Sequence, residues 1–337
     1  MIRSIVLRFA LGLGLGAALA GAPAKAEGPA TKESFLRPLT VPMPKDEPFS
    51  PQLATLGKML FFDPRLSGNE NMNCVTCHNP SFGFETPVPR AVGALGKPIN
   101  RHAPTVLNVA WVPHFFWDGR SPSLEEQASH PITEPDEMGG HIGAIVERLY
   151  MVEDYQRWFD KLFPDAGLSG PTIVKALAAY QRTIVSGWAP FDRWAEGDDY
   201  AISQDAKAGF ELFTGKAGCA NCHSGWNFTD NQFHDIGLYS DDIGRGAVEP
   251  ENPRARYAFK TPSLRNISYR APYMHDGLMA DLDVVIDHFA NGGIQRPSLS
   301  PLMHPVDLND NERRQLIAFL HSLTAEKTKT AMPILPN

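Results

Sequence analysis

Two short motifs use every cysteine of this chain and constrain its fold more than any other feature. Each is Cys-x-x-Cys followed directly by His, once at 74–78 and once at 219–223. This spacing is typical of covalent c-type haem attachment, in which two thiols form thioethers and the adjacent imidazole binds the iron. A four-thiolate zinc site is the alternative, but it leaves both histidines without a role. We therefore predict two haem c groups, attached at Cys74, Cys77, Cys219 and Cys222, with His78 and His223 as axial iron ligands.

The N-terminus has the pattern of a secretory signal. Arg3 and Arg8 precede an apolar stretch at 9–19, and a small-x-small cleavage site ends at Ala26. The apolar stretch is too short for a stable membrane anchor, and no later segment approaches the length of a membrane span. We expect a signal peptide at 1–26, cleaved near Ala26, and export to the periplasm.

The length and charge of the chain suggest two domains and no nucleic-acid partner. The 337 residues carry a net charge of −7, whereas a phosphate-binding surface needs a basic face. The stretches Gly57–Phe61 and Gly209–Phe213 resemble each other, and each precedes one haem motif. We therefore predict a mostly α fold of two cytochrome-c-like haem domains, at 27–198 and 199–337, with long wrapping loops.

Periodic apolar residues and turn-forming residues locate the main elements. A helix is predicted over Pro171–Ser186, because Pro fits the first turn and apolar residues recur at helical spacing. A final helix is predicted to start after Asn309 or Asp310 as N-cap. The stretches 79–105 and 224–262 are rich in Gly, Pro, Asn and Asp, and are predicted to be loops around the cofactor.

Two haems alone suit an electron carrier as well as an enzyme. A carrier fills the sixth position of each iron with a side chain, commonly Met or His, whereas a peroxidase leaves one position open. After His78 the methionines of the first domain are Met138, in an acidic loop, and Met151, in an apparent helix. Neither is a convincing ligand, which favours an enzyme.

Six further short blocks of sequence lie between and after the two haem motifs. They are Ala-Pro-Thr-Val-Leu-Asn at 103–108, Phe-Trp-Asp-Gly-Arg at 116–120, Ser-Leu-Glu-Glu-Gln-Ala at 123–128, Glu-Met at 137–138, Thr-Pro-Ser-Leu-Arg-Asn at 261–266 and Ala-Pro-Tyr-Met-His-Asp-Gly at 271–277. With these blocks the chain from Leu56 to Leu323 resembles the bacterial di-haem cytochrome c peroxidases and their MauG-like relatives.

The resemblance implies roles for four residues at the first, peroxidatic haem. Glu137 matches the acid of the distal pocket, which would move a proton during O–O cleavage. Gln127 matches a second residue of that pocket, and Pro131 matches one that restricts it. Trp117 matches a tryptophan that relays electrons between the haems. Separately, Arg245 is a candidate for binding a haem propionate, with a solvated turn as the alternative.

Two departures from the family pattern indicate the MauG-like branch. Peroxidases that need prior reduction carry a distal His after the first motif, but Ala94 stands at that position and 87–98 contains no His. At the second haem, Phe289 stands where peroxidases have Met and MauG-like proteins have Tyr. Phe cannot bind iron, so this haem is five-coordinate, or His288 or Met303 substitutes, or the register is off by one.

A third departure concerns calcium. The family usually holds a calcium ion between its domains by an Asn side chain and backbone carbonyls, but His102 replaces that Asn. Calcium occupancy is therefore left open.

The resemblance implies a periplasmic haem-dependent oxidoreductase of the peroxidase type. It would use hydrogen peroxide to form a high-valent haem and oxidise a substrate protein, as in maturing the tryptophan-derived quinone cofactor of methylamine utilisation. The first alternative is a cytochrome c peroxidase that takes electrons from a small cytochrome or cupredoxin. The second is a di-haem electron carrier without catalytic activity. The sequence predicts no nucleic-acid partner and no membrane span, and leaves the oligomeric state open.

Overall fold

A computed structural model describes residues 30–45, 48–327 and 329–337, so the predicted signal peptide lies outside the described residues. The prediction of a mostly helical fold is confirmed. The α-helices are α1 (Pro51–Phe62), α2 (Cys74–Cys77), α3 (Leu124–Thr133), α4 (Ile142–Tyr150), α5 (Glu153–Leu162), α6 (Gly170–Arg182), α7 (Pro190–Ala195), α8 (Gln204–Thr214), α9 (Leu282–Asn291) and α10 (Asp310–Ser322). Short 3-10 helices are found at Lys32–Phe35, Pro64–Leu66, Pro80–Phe82, Val109–Trp111, Cys219–Asn221, Arg245–Ala247 and Ile267–Tyr269. Within these ranges, no helix combines the length and apolar character that crossing a membrane requires.

Two helix pairs form the centre of the fold, and a glycine lies at each crossing. Helix α1 packs on α6 and α8 packs on α10. A Cβ atom at Gly57 would lie 1.8 Å from the carbonyl oxygen of Ala176, and one at Gly209 would lie 2.0 Å from that of Gln315. Only glycine permits so close an approach of two backbones. These glycines open the two similar stretches seen in the sequence, so that repeat reflects a repeated helix crossing.

The buried apolar side chains form two cores. The first contains side chains of α1, α3 and α6, and the second contains side chains of α8, α9 and α10. Phe35 and helix α7 pack in the second core, although both precede residue 199 in the chain. Leu335, near the C-terminus, packs against the first core. The two cores therefore do not divide at one point of the chain, and the boundary at 198/199 stays a prediction.

The predicted helix over Pro171–Ser186 is too long. Helix α6 ends at Arg182 because the following residues bind Asn108 instead of continuing the helix. The carbonyl of Ile184 accepts the Asn108 N–H at 2.8 Å, and the N–H of Ser186 donates to Asn108 Oδ1 at 2.9 Å.

The prediction of the last helix is confirmed. Asn309 is the N-cap of α10, and its Oδ1 accepts hydrogen bonds from the N–H groups of Asn311 and Glu312. In return, the Glu312 carboxylate accepts from the Asn309 N–H, which completes a capping box. The predicted loop 224–262 is long and irregular, but it also contains two short antiparallel strands, β1 (Phe233–His234) and β2 (Phe259–Lys260).

A second repeat, longer than the one visible in the sequence, relates residues 102–133 to residues 260–291. Each copy contains a 3-10 helix, an isolated antiparallel bridge and a ten-residue α-helix in the same order. Left-handed backbone occurs at matching positions, namely Asn108 and Asn266, Phe116 and Met274, and Gly119 and Gly277. The two halves of the protein therefore share one backbone pattern around their haem motifs.

The two copies meet through reciprocal backbone hydrogen bonds. In the alignment of the repeat, His102 matches Lys260 and Trp117 matches His275. The N–H of His102 donates to the carbonyl of His275 at 2.8 Å, and the N–H of Lys260 donates to the carbonyl of Trp117 at 2.7 Å. The copies are thus related by an approximate two-fold axis that passes between these four residues.

Candidate haem-binding and active site

Each Cys-x-x-Cys-His motif lines its own cavity. The first cavity has a volume of about 760 Å³ and the second about 190 Å³. Both are lined mainly by apolar groups, as expected for sites that hold a large planar cofactor. The first is lined by Cys74, Cys77 and His78, and the second by Cys219, Cys222 and His223.

The histidine of each motif is oriented by its backbone neighbour. His78 Nδ1 lies 3.3 Å from the carbonyl oxygen of Phe84, and His223 Nδ1 lies 2.9 Å from that of Phe228. A carbonyl only accepts, so Nδ1 carries the proton and Nε2 keeps a free lone pair for a metal. Burial lowers the pKa of both imidazoles, which favours the neutral form that binds iron. Both motifs therefore present a neutral imidazole with the tautomer that an axial ligand needs.

The cysteines fit haem attachment and exclude a four-thiolate zinc site. All four are free thiols, and the two pairs lie in different cavities, so they cannot share one metal ion. Burial raises the pKa of Cys74 and of Cys219 to about 12, whereas zinc binds the thiolate form. The donor set of each cavity therefore fits a covalently attached haem.

All four predicted active-site residues line the first cavity; Trp117 lines the second cavity as well, and the other three line the first alone. These three are Glu137, Gln127 and Pro131. The Glu137 side chain is half-buried, and burial raises the pKa of its carboxyl group; the charge of Glu134 adds to this effect, while Arg120 opposes it. A carboxylate with a raised pKa is a stronger base than an exposed one, which suits proton transfer near neutral pH.

The loop that replaces the distal histidine holds Glu137 in place. The N–H of Ala94 donates to the carbonyl of Glu137 at 2.7 Å. At Gly93 a Cβ atom would lie 1.8 Å from the carbonyl oxygen of Asp136, so the two loops touch directly. Ala94 has no atom that binds iron. Residues of this loop therefore support the acidic loop through the backbone.

Pro131 shapes the helix that carries Gln127. It lies inside α3, where it lacks the N–H that would bond the carbonyl of Gln127 four residues earlier. Its own carbonyl accepts the N–H of Met138 at 3.0 Å, next to Glu137 in the chain. The helix and the acidic loop are thus joined at the wall of the cavity.

Trp117 lies between the two cavities and lines both of them. The residue is only 8% exposed, and its indole N–H donates to the carbonyl of His102 at 2.8 Å. Its ring packs edge-on against His275, with centroids 6.5 Å apart. This placement agrees with the position expected of an electron relay; the role itself stays a prediction.

The residues that line the second cavity limit which side chain can be the sixth ligand of the second haem iron. Phe289 and Met303 both line it. His288 is not among the lining residues, and its Nε2 lies 2.8 Å from the carbonyl oxygen of Ile236. Of the two substitutes considered for Phe289, Met303 is therefore the one that faces the cavity.

Arg245 has protein partners of its own. Its guanidinium forms an ion pair with Glu249 at 2.6 Å, donates to the carbonyl of Asp118 at 2.9 Å and stacks on Phe233. Arg245 lines neither cavity. The predicted propionate contact gains no support from this arrangement and stays a prediction.

Two basic residues that the sequence did not single out line both cavities. Arg270 forms a buried ion pair with Glu85 at 2.8 Å, and Lys260 donates to the carbonyl of His114 at 2.8 Å. Lys260 lies in the predicted loop 224–262 and Arg270 lies between two of the family blocks, so no local pattern distinguished either residue.

His102 does not resemble a calcium ligand. Its Nδ1 lies 3.2 Å and 3.1 Å from the carbonyl oxygens of Val88 and Pro89, and its Nε2 lies 3.8 Å from a carboxylate oxygen of Glu85. Calcium prefers oxygen ligands, and here an imidazole N–H occupies the backbone carbonyls that could face such an ion. The residues present do not fit a calcium ion at this position.

Comparison with known proteins decides the family. A family model described as di-haem cytochrome c peroxidase matches residues 51–200, and a cytochrome c model matches residues 206–324. The chain is 52% identical to the methylamine utilization protein MauG of Methylorubrum extorquens, over 95% of this chain and 92% of that protein. The chain belongs to the di-haem cytochrome c peroxidase and MauG family. The family recognition made from the sequence is confirmed.

Within the family, similarity to the peroxidases is lower. The chain is 36% identical to the cytochrome-c peroxidase IdrP1 of Pseudomonas sp. (strain SCT), with 84% of each chain covered. A solved structure, a MauG-like protein associated with microbial copper homeostasis, superposes with a TM-score of 0.79 at 31% identity, covering 87% of this chain and 94% of that one. These findings confirm two cytochrome c domains, two haem c groups and a haem-dependent oxidoreductase of the peroxidase type.

Proposed function

We propose that this protein is a MauG-like di-haem enzyme that uses hydrogen peroxide to oxidise a partner protein. The observation that carries the proposal is the first cavity, where Glu137 has a raised pKa and the loop 87–98 contributes Gly93, which has no iron-binding side chain. Identity of 52% to a MauG protein, against 36% to a peroxidase, supports the MauG-like branch.

Each predicted active-site residue of the first cavity has its own role in the reaction of peroxide. When bound, the two haems supply iron centres that take up the oxidising equivalents of peroxide. Glu137 accepts the proton of one peroxide oxygen and donates it to the other, which leaves as water. The Gln127 amide donates a hydrogen bond that orients the peroxide, and Pro131 restricts the space beside it. Two electrons and two protons are needed in total to convert the peroxide to two waters.

Trp117 connects the two sites. Because it is buried and lines both cavities, its indole offers a path for electrons that arrive through the second haem site. The hydrogen bond to the His102 carbonyl fixes the ring in this position. The electrons come from the partner, which loses two electrons for each peroxide consumed.

We further propose that the partner is a periplasmic protein oxidised at tryptophan side chains, as in maturation of the quinone cofactor of methylamine utilisation. The similarity to MauG of Methylorubrum extorquens, a methylamine utilization protein, supports this choice. Export is supported by the signal-like pattern at 1–26. We assign no calcium ion to the enzyme, because His102 does not fit the expected site.

The first test is the EPR and optical spectrum of the oxidised holoprotein before and after one equivalent of peroxide. We expect a high-spin signal from the haem on His78 and an immediate spectral change, without prior reduction. A low-spin haem that reacts only after half-reduction would overturn the proposal in favour of a reductively activated peroxidase. A protein that shows no spectral change in either redox state would be an electron carrier.

The second test separates the two enzyme classes. Steady-state assays with reduced cytochrome c or a reduced cupredoxin as donor should give slow turnover. Fast turnover with such a donor would identify a cytochrome c peroxidase. The rate of the peroxide reaction in Glu137→Gln reports on the first cavity for both enzyme classes.

A further inference from the structure

The junction between the two cavities is formed by six residues that line both of them. They are His102, Trp117, Lys260, Thr261, Pro262 and Arg270. Three of the six carry basic groups. Any cofactor group that reaches the junction from either cavity therefore meets His102, Lys260 or Arg270.

The basic groups at the junction outnumber the acidic ones. Glu85 is the carboxylate in contact with them: it forms an ion pair with Arg270 at 2.8 Å and lies 3.8 Å from His102 Nε2. Lys260 forms no ion pair with a carboxylate of the described residues, and Asp118, the nearest acid to influence it, is already bound by Arg101 and Arg120. The junction thus carries excess positive charge.

Several hydrogen-bond donors at the junction have no partner in the described part of the protein. His102 Nε2 and Arg270 Nε are the two buried side-chain atoms without a hydrogen bond there. The ammonium group of Lys260 has three donors, and only the contact with the His114 carbonyl uses one. Buried donors are normally satisfied, so Arg270 Nε and the ammonium group of Lys260 indicate an acceptor that the polypeptide does not provide. His102 is not one of these donors, because its ring donates through Nδ1 to the carbonyls of Val88 and Pro89 and its Nε2 is left as an acceptor.

The internal repeat explains why two of these groups face the same place. His102 and Lys260 occupy matching positions of the two copies, and each is held by a backbone hydrogen bond to the opposite copy, at His275 and Trp117. The side chains therefore approach the approximate two-fold axis from both halves. A cation bound here would add to the positive charge, whereas an anion would balance it.

We propose that Lys260 and Arg270, beside His102, form an anion site that binds the propionate carboxylates of the two haems. The proposal rests on the haem binding described above. In this proposal, protein side chains supply the positive charge between the haems. These side chains, and not Arg245, bind the propionates. Carboxylates are the acceptors that each haem brings into its cavity, and they complement the unpaired N–H donors of Lys260 and Arg270.

The test is a spectroelectrochemical titration of the holoprotein, with Lys260→Met compared with wild type. A nearby cation stabilises the reduced haem. Its loss should therefore make the equilibrium constant for reduction of at least one haem about tenfold less favourable, which lowers the midpoint potential by about 59 mV for one electron. The pH dependence of the potential should move to higher pH, because the carboxylate loses the charge that keeps it ionised. Lys161→Met removes an exposed lysine from α5 and should change neither quantity.

Two further measurements keep the proposal falsifiable if Lys260→Met does not fold. Lys260→Arg keeps the charge and should retain the wild-type potentials. Elemental analysis of the wild-type holoprotein should find no calcium, and a calcium chelator should leave both potentials unchanged. One calcium ion per chain with potentials that respond to the chelator would overturn the proposal, as would wild-type potentials in Lys260→Met. Failure of the peroxide reaction alone would count against the proposed function and not against this site.

Discussion

Replacing Glu137 with Gln tests the chemistry of the first cavity most directly. The change keeps the size and shape of the side chain but removes the group that moves a proton. General acid–base catalysis contributes about 10²- to 10⁴-fold, or about 3–5 kcal/mol of barrier. Glu137 is half-buried and has a raised pKa, as a general base that acts near neutral pH requires. We expect the rate constant for peroxide, followed by stopped-flow absorbance of the holoprotein, to fall by about this factor.

The pH profile adds a signature that a structural defect would not produce. Glu137 acts as a base only when ionised, and its pKa is raised, so the wild-type rate should fall as the pH drops through a value above that of an exposed Glu. The acid limb should be absent in Glu137→Gln. In the control Glu134→Gln, loss of a neighbouring negative charge should move the limb to lower pH and keep the maximal rate. In Arg120→Gln the acid limb should move to higher pH, because the positive charge that opposes the raised pKa of Glu137 is lost.

Two outcomes would refute this reasoning. The first is a Glu137→Gln variant that reacts with peroxide as fast as the wild type near neutral pH. The second is a variant that is slow but keeps an unchanged acid limb, which would show that another group titrates. In both measurements the resting EPR spectrum and the haem content should match the wild type, so that loss of cofactor is not mistaken for loss of the base.

Three more substitutions test the support of the site and the fold. Gly93→Ala places a Cβ atom against the Asp136 carbonyl and should shift the acidic loop, lowering the peroxide rate about 10²-fold in stopped-flow assays at normal haem content. Gly57→Ala places a Cβ atom against the backbone of α6 and should destabilise the protein by at least about 1–3 kcal/mol, measured by chemical denaturation. Arg265→Met removes the 2.6 Å ion pair of buried Asp192, which keeps Arg37 at 3.4 Å, and unfolding should then require about 3 kcal/mol less, the lower end of the cost of breaking a buried pair. Wild-type stability in either of the last two variants would contradict the packing described here.

Local patterns in the sequence were sufficient to predict several parts of the molecule. The haem motifs carry their own chemistry in five adjacent residues, so both could be assigned without knowledge of the fold. The last helix was predicted correctly because Asn309 and Glu312 form its cap within one turn. The similar stretches beginning at Gly57 and Gly209 were recognised as a repeat, and the structure adds that each glycine lies at a helix crossing.

Features that depend on distant contacts could not be predicted in this way. Helix α6 ends early because Asn108, far away in sequence, binds the residues that follow it. Lys260 and Arg270 gain their importance from cavities on both sides, which no local pattern reveals. Arg245 looked suited to a propionate, yet it donates to the carbonyl of Asp118, which is distant in the sequence.

The repeat around the two-fold axis bears on how such a protein diversifies. A duplicated half starts with two equivalent copies, and a change at one position leaves its counterpart free to keep the older property. Pro131 and Phe289 are such counterparts: each lies at the same point of its ten-residue helix and lines its own cavity. Exchanging residues between matching positions of the two copies would therefore be a direct way to move a property of one haem cavity to the other.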